Sequence, residues 1–325
     1  MSKFLSYAWL ILKYVLPVII VVAVTYQFYT LLSRPELWSE QLTLRPQWLL
    51  LSAILYLMAH TLFATFWVQL LRCQGAVIPW KYGVRAYFVS QLGKYVPGKA
   101  LVILIRISML RAYAPSRAVL ALTATYETIG TMAAGAGVGV LLLPWLSADA
   151  SVTDQRWPLL IIAALPLGFG LVHMVIRYLG AKYQKDMPQL PHLPFLLLAR
   201  GLLQAAFGWV VMGLSLWAAL QAILPEPLAL NVTNWLRLTA IASMSYVIGF
   251  VVLVSPGGVG VREYFLQQML TTELALHAGY GSDEAAGLAV VLAIVLRLTW
   301  TLAELVAIQL LYRYVRPPAV EGSAP

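Results

Sequence analysis

The sequence predicts an all-α polytopic membrane protein, a helical bundle of about seven or eight spans, and three observations carry that reading. Only 11% of the 325 residues are charged while 61% are hydrophobic, against about 25% charged in a soluble domain, so there is too little charge to coat a water-facing surface. Uncharged runs at Tyr14 to Ser33, Pro46 to Leu71, Trp157 to Ile176, Gly201 to Pro225 and Leu238 to Val261 each reach the roughly 20 residues that cross hydrocarbon as a helix. None alternates apolar and polar residues as an outer-membrane strand does, and backbone groups in lipid have to be satisfied internally, which selects helices.

In chain order, the first span covers about Tyr7 to Leu32 and stops before Ser33-Arg34-Pro35, and the second covers about Pro46 to Leu71, stopping near Arg72 and Gly75. Further spans are expected at about Ala118 to Leu146, Trp157 to Tyr178, Phe195 to Leu224, Trp235 to Val254 and Ala285 to Tyr314. Lys3 and Lys13 ahead of apolar residues imitate a signal peptide, but the run is too long and has no small-x-small cleavage site. Residues 1–316 are read as one transmembrane domain, and the Pro, Gly, Ser and Ala of 317–325 as a disordered tail. Trp38, Trp48, Trp145, Trp157 and Trp235, near span ends, are interfacial anchors.

The net charge of +9 is not a nucleic-acid footprint, because the cations sit in membrane-flanking loops rather than on one soluble face. Arg72, Lys81, Arg85, Lys94, Lys99, Arg106, Arg111 and Arg117 crowd one inter-span region, and Arg177, Lys182, Lys185 and Arg200 another. The positive-inside rule makes both cytoplasmic. The loops around Asp149 and Asp154, Glu226, and Asp283 and Glu284 are poor in basic residues and so external. Arg313 and Arg316 then place the C-terminus, like the N-terminus, on the cytoplasmic side of a cell membrane.

Two stretches break the pattern of simple spans. Ser90 to Ala100 contains Gly93-Lys94-Tyr95-Val96-Pro97-Gly98-Lys99, and Ser255 to Glu263 contains Pro256-Gly257-Gly258-Val259-Gly260-Val261-Arg262. Pro lacks a donor and Gly lacks helix propensity, so each stretch interrupts a helix inside apolar sequence. One lies in each half of the chain, a placement that allows an internal two-fold pseudo-repeat and marks the binding site of many transporters. Tight cytoplasmic turns are the plainer reading of both. Where a helix restarts, free N-H groups and a positive dipole end favour an anion, and Lys94, Lys99, Arg106 and Arg262 add full charges. An anionic lipid headgroup is the expected occupant.

Other motifs carry less. Gly93-x-x-x-x-Gly98-Lys99 imitates a phosphate loop, but Ala100 stands where Ser or Thr would hold magnesium and no strand precedes it. Glu127 lies ten residues beyond Arg117, about 15 Å deep at 1.5 Å per residue. A carboxylate there is a proton site that serves coupling or gating, a partner for a buried Arg, or a group neutralised by a raised pKa. Arg297, Thr301 and Glu304 share one helix face and are expected to point into the bundle. Gly135-x-x-x-Gly139 fits close helix packing better than chemistry. The histidines, His60, His173, His192 and His277, are isolated, and the single cysteine, Cys73, excludes an intramolecular disulfide, so no metal and no cofactor is expected.

Together, Gly93 to Lys99, Arg106, Glu127 and Pro256 to Glu263 resemble the lysylphosphatidylglycerol synthase transmembrane-region family, flippase-like membrane proteins, over most of the chain. The resemblance implies a bundle with broken or re-entrant helices that moves a lipid, or a lipid-linked sugar or amino acid, between leaflets. It also implies that Lys99, Arg106, Glu127, Arg262, Glu263 and Arg297 line the path. Longer members carry a soluble aminoacyl-transfer domain, which the stretch after Tyr314 is too short to supply, so lipid aminoacylation is not expected. On this reading Lys94, Pro97, Gly98, Lys99, Arg106, Gly257, Gly258, Gly260, Arg262 and Glu263 contact an anionic phospholipid or a polyprenyl-phosphate-linked substrate, while Glu127, Arg297 and Glu304 gate or couple. Two alternatives stay open: a membrane transferase with Glu127 and Glu263 as acid and base, and a non-catalytic partner that anchors a synthase.

Overall fold

The computed structural model describes residues 44–95, 100–146, 193–251 and 261–317. The spans expected at about Tyr7 to Leu32 and Trp157 to Tyr178, residues 96–99 and 252–260 of the broken stretches, and residues 318–325 lie outside the described residues. The regular elements are helices: α1 (Pro46–Cys73), α2 (Trp80–Gln91), α3 (Ala100–Leu110), α4 (Arg117–Leu142), α5 (Phe195–Ile223), α6 (Val232–Val251), α7 (Val261–His277) and α8 (Ser282–Tyr314). A 3-10 turn, Leu92–Tyr95, follows α2, and another, Leu143–Trp145, prolongs α4.

Local chemistry sets the ends. Pro46 opens α1, where its missing N-H costs nothing. Gly75, at φ +84°, takes the left-handed turn that ends it. The Ser116 side chain accepts from Val119 N at 3.2 Å and caps α4. Pro194 precedes α5, and Pro225 stands just after its C-cap.

Among the described residues, four helices are long and apolar enough to cross a membrane, with 28 residues in α1, 29 in α4 with its 3-10 extension, 29 in α5 and 33 in α8. At about 1.5 Å per residue each exceeds the roughly 30 Å of bilayer hydrocarbon. Their outward stripes are apolar: Leu50, Ile54 and Met58 on α1, Leu203 and Phe207 on α5, and Leu302, Val306 and Leu310 on α8 are exposed at fourfold spacing. Lipid is the solvent that suits such a surface, and the chain is a helical polytopic membrane protein.

Small residues let the helices close on one another. A Cβ at Gly208 would stand 2.4 Å from the Phe63 ring of α1, one at Gly135 2.6 Å from Trp209 of α5, and one at Gly139 2.6 Å from Met244 of α6. The Gly135-x-x-x-Gly139 motif therefore serves packing.

Helices α2 and α3 pack on each other as a hairpin between α1 and α4. At its base Val77 N donates to Tyr113 O at 3.0 Å and the Tyr82 hydroxyl to Met109 O at 3.2 Å. At its tip Gly93 lies so close to α3 that a Cβ would meet Val102 N at 2.5 Å. The hairpin runs alongside the last third of α8: Arg85 donates to Val315 O near the end of that helix, and Lys94 reaches Glu304 about three turns back.

Candidate functional site

Two clusters of polar side chains bring together the charges that the sequence singles out. The first joins α3 to α4. Arg106 and Glu127, 1% and 3% exposed, form an ion pair with Arg106 Nη1 2.8 Å from Glu127 Oε2. Arg106 Nε donates to Ser90 Oγ at 3.1 Å, while Ser90 donates its own proton to Tyr87 O at 2.6 Å. The guanidinium lies over Trp67 at 4.3 Å and over Tyr87 at 4.7 Å. The Thr131 hydroxyl stands 3.1 Å from the other Glu127 oxygen. Both charges are thus compensated, and the pair ties the hairpin to α4.

The second centre lies between α1, the hairpin tip, α6, α7 and α8, around a small cavity. Glu304 Oε1 accepts from Lys94 Nζ on the tip and from the Tyr56 hydroxyl of α1. One helical turn before Glu304, Thr301 lines the same space, and Arg297 stands two turns before it, paired with Glu263 of α7. Arg262 enters from the start of α7 with its guanidinium between the Tyr246 ring at 4.5 Å and the Trp300 ring at 4.6 Å. Gly249 makes this possible: a Cβ there would stand 2.6 Å from Arg262 Cβ, so only glycine lets α6 come this close to α7. Behind the cavity Tyr56 stacks on Trp300 at 4.7 Å and meets the His60 ring at 4.1 Å in a tilted contact. His60 Nδ1 is 3.1 Å from Tyr56 O, and because a carbonyl only accepts, Nδ1 carries the proton.

Charge distinguishes the centres. Around the cavity Lys94, Arg262 and Arg297 face Glu263 and Glu304, three positive against two negative, a surplus of one among the described residues. Lys94 pairs with Glu304 and Arg297 with Glu263, whereas Arg262 has no carboxylate at ion-pair distance among the described residues.

Of the residues singled out in the sequence, Lys94, Arg262, Arg297 and Glu304 line one cavity, with Glu263 attached through Arg297. Arg106 and Glu127 meet each other instead. Pro97, Gly98, Lys99, Gly257, Gly258 and Gly260 lie outside the described residues. Sequence reasoning missed the aromatic walls Trp67, Tyr87, Tyr246 and Trp300 and the Tyr56 hydroxyl, because aromatics inside spans carry no mark that separates wall from filler. Among the described residues no group of His, Cys, Asp and Glu has a metal-binding arrangement.

Compared with known proteins, the chain matches the family model described as the lysylphosphatidylglycerol synthase TM region over residues 14–303. No curated protein matches it.

Proposed function

The chain belongs to the lysylphosphatidylglycerol synthase TM region family, a membrane setting of lipid modification or translocation, and from that premise we propose that it is a flippase-like lipid translocator. The anionic headgroup enters at the cavity between Lys94 and Arg262, which as it stands has room for about one water and has to widen to admit a phosphate, while its acyl or prenyl chains stay in the bilayer. The observation that carries this reading is Arg262, a buried guanidinium held between two rings with no carboxylate at ion-pair distance among the described residues. A surplus of one positive charge suits a phosphodiester, which carries one negative charge, and a guanidinium grips two of its oxygens.

Lys94 exchanges Glu304 for the phosphate when the headgroup enters, and Pro97, Gly98, Lys99, Gly257, Gly258 and Gly260, outside the described residues, are further proposed contacts. The α2–α3 hairpin is re-entrant from the cytoplasmic face, and Arg106 with Glu127 holds its tip at depth, so this pair couples hairpin position to the cavity. Arg297 and Glu304 tune the charge the headgroup meets. Both termini lie in the cytoplasm, so a terminal reporter active only outside stays dark. The transferase reading is less well supported, since its acid and base, Glu127 and Glu263, are each held by an arginine.

The test is reconstitution into vesicles with a labelled anionic phospholipid confined to the inner leaflet, followed by a membrane-impermeant quencher and mass spectrometry of the recovered lipid. The expected result is protein-dependent exposure of the label with headgroup mass unchanged. An altered headgroup would mean a transferase, and no exposure a scaffold.

A further inference from the structure

Helix α7 carries a second polar cluster near its other end. Glu273, 4% exposed, is eleven residues beyond Arg262, about 16 Å along the helix. Its Oε1 stands 3.8 Å from Arg237 Nη1 on α6, and its Oε2 3.9 Å from His277 Nε2 one turn further along α7. These are ion-pair separations, too long for hydrogen bonds. Among the described residues neither Glu273 Oε1 nor His277 Nε2 has a hydrogen-bond partner. Arg237 is steadied from the far side, its Nε donating to Trp145 O at 2.8 Å at the end of α4. Tyr280, in the turn after α7, feels Glu226 from the α5–α6 loop and Glu284 from the first turn of α8.

A buried carboxyl flanked by an arginine and a histidine, with no hydrogen bond fixing its charge state, is suited to gaining and losing a proton. We infer that Glu273 and His277 form a proton-binding site whose charge state sets how tightly α6 and α7 are latched through Arg237. With Glu273 ionised, Arg237 is drawn to α7 and the helices hold together at this end. When Glu273 takes a proton from the solvent at that face, Arg237 loses its countercharge and the latch relaxes. The same two helices clasp Arg262 at the other end, through the close approach at Gly249 and the Tyr246 ring, so the proton bears on the cavity. That last link rests on the translocator reading; the proton site itself does not.

The test separates the two. Full-length protein reconstituted in lipid is titrated from about pH 5 to about pH 9 while the infrared absorption of protonated carboxyl groups is recorded, a readout that needs neither transport nor a bound headgroup. The expected result is a carboxyl band that titrates in the wild type, is missing in Glu273→Gln, and returns with a shifted midpoint in Glu273→Asp. Identical titrations of the wild type and Glu273→Gln would overturn the assignment. Should Glu273→Gln not fold, Arg237→Gln removes the neighbouring cation and is expected to move the band's midpoint to higher pH, whereas an unmoved midpoint would overturn the assignment equally. If the protein failed to translocate lipid, this titration would be unaffected.

Discussion

Arg106 and Arg262 occupy closely similar surroundings and differ in one respect. Each follows a Pro-Gly-broken stretch, and each guanidinium is flanked by two aromatic rings 4.3 to 4.7 Å away. Arg106 has a carboxylate at 2.8 Å and a serine hydroxyl on its Nε. Arg262 has no carboxylate at ion-pair distance among the described residues. The rings set where a guanidinium sits and desolvate it, while the counterion decides what it does next. A saturated arginine becomes part of the framework, and an unsaturated one at a cavity is available to an anionic ligand. Desolvation makes both consequences large, because an uncompensated charge in a low-dielectric interior is expensive.

The contrast breaks most visibly on the saturated side. Arg106→Ala or Glu127→Ala strands a buried charge and is expected to lower stability by about 3–5 kcal/mol, read as loss of monodisperse protein on heating in detergent. Replacing both by apolar residues of similar volume should recover most of that loss. A double replacement as unstable as either single one would show that the pair does more than compensate charge. A smaller effect is expected from Gly249→Ala, whose added carbon would stand 2.6 Å from Arg262 Cβ. Overpacking of this kind costs about 1–3 kcal/mol, and here it should appear as weaker binding of anionic lipid together with a modest fall in melting temperature. The smallest effect belongs to Lys94→Arg, which keeps the charge that pairs with Glu304. Its lipid affinity should stay within about threefold of wild type, under 1 kcal/mol, and Lys94→Gln should lose more.

Much of the fold was legible because spans are written in long apolar runs. The second and fifth expected spans begin where α1 and α5 begin, at Pro46 and Phe195. Where the reading fell short, polar residues had extended a helix beyond its apolar run. Helix α6 starts at Val232 rather than Trp235 because Asn231 Oδ1 accepts from Asn234 N at 2.7 Å. Helix α8 starts at Ser282 rather than Ala285 because Asp283 and Glu284 suit the positive end of its first turn.

The charged members of the candidate site stood out because charge is rare inside apolar sequence, and the Arg297, Thr301, Glu304 face was readable from helical spacing. Partnership was not. Nothing in the chain shows that Arg106 meets Glu127 while Lys94 meets Glu304, since both pairings depend on how the hairpin folds back against its neighbours. Arg237 and Glu273 were passed over for a related reason: each is an ordinary charge near a helix end until α6 and α7 bring them together.

The central claim is that Arg262 is the arginine an anionic headgroup meets. The most direct test is binding of a labelled anionic phospholipid, alongside a zwitterionic one, to purified wild-type protein and to Arg262→Ala and Arg262→Lys, with folding checked by melting temperature. The account predicts that Arg262→Ala loses at least about tenfold in affinity for the anionic lipid, about 1.4 kcal/mol, with little change for the zwitterionic lipid or in stability. Arg262→Lys should recover only part of that loss, because an ammonium acts as a point charge and cannot grip two phosphate oxygens. Wild-type affinity for the anionic lipid in a folded Arg262→Ala protein would contradict the account.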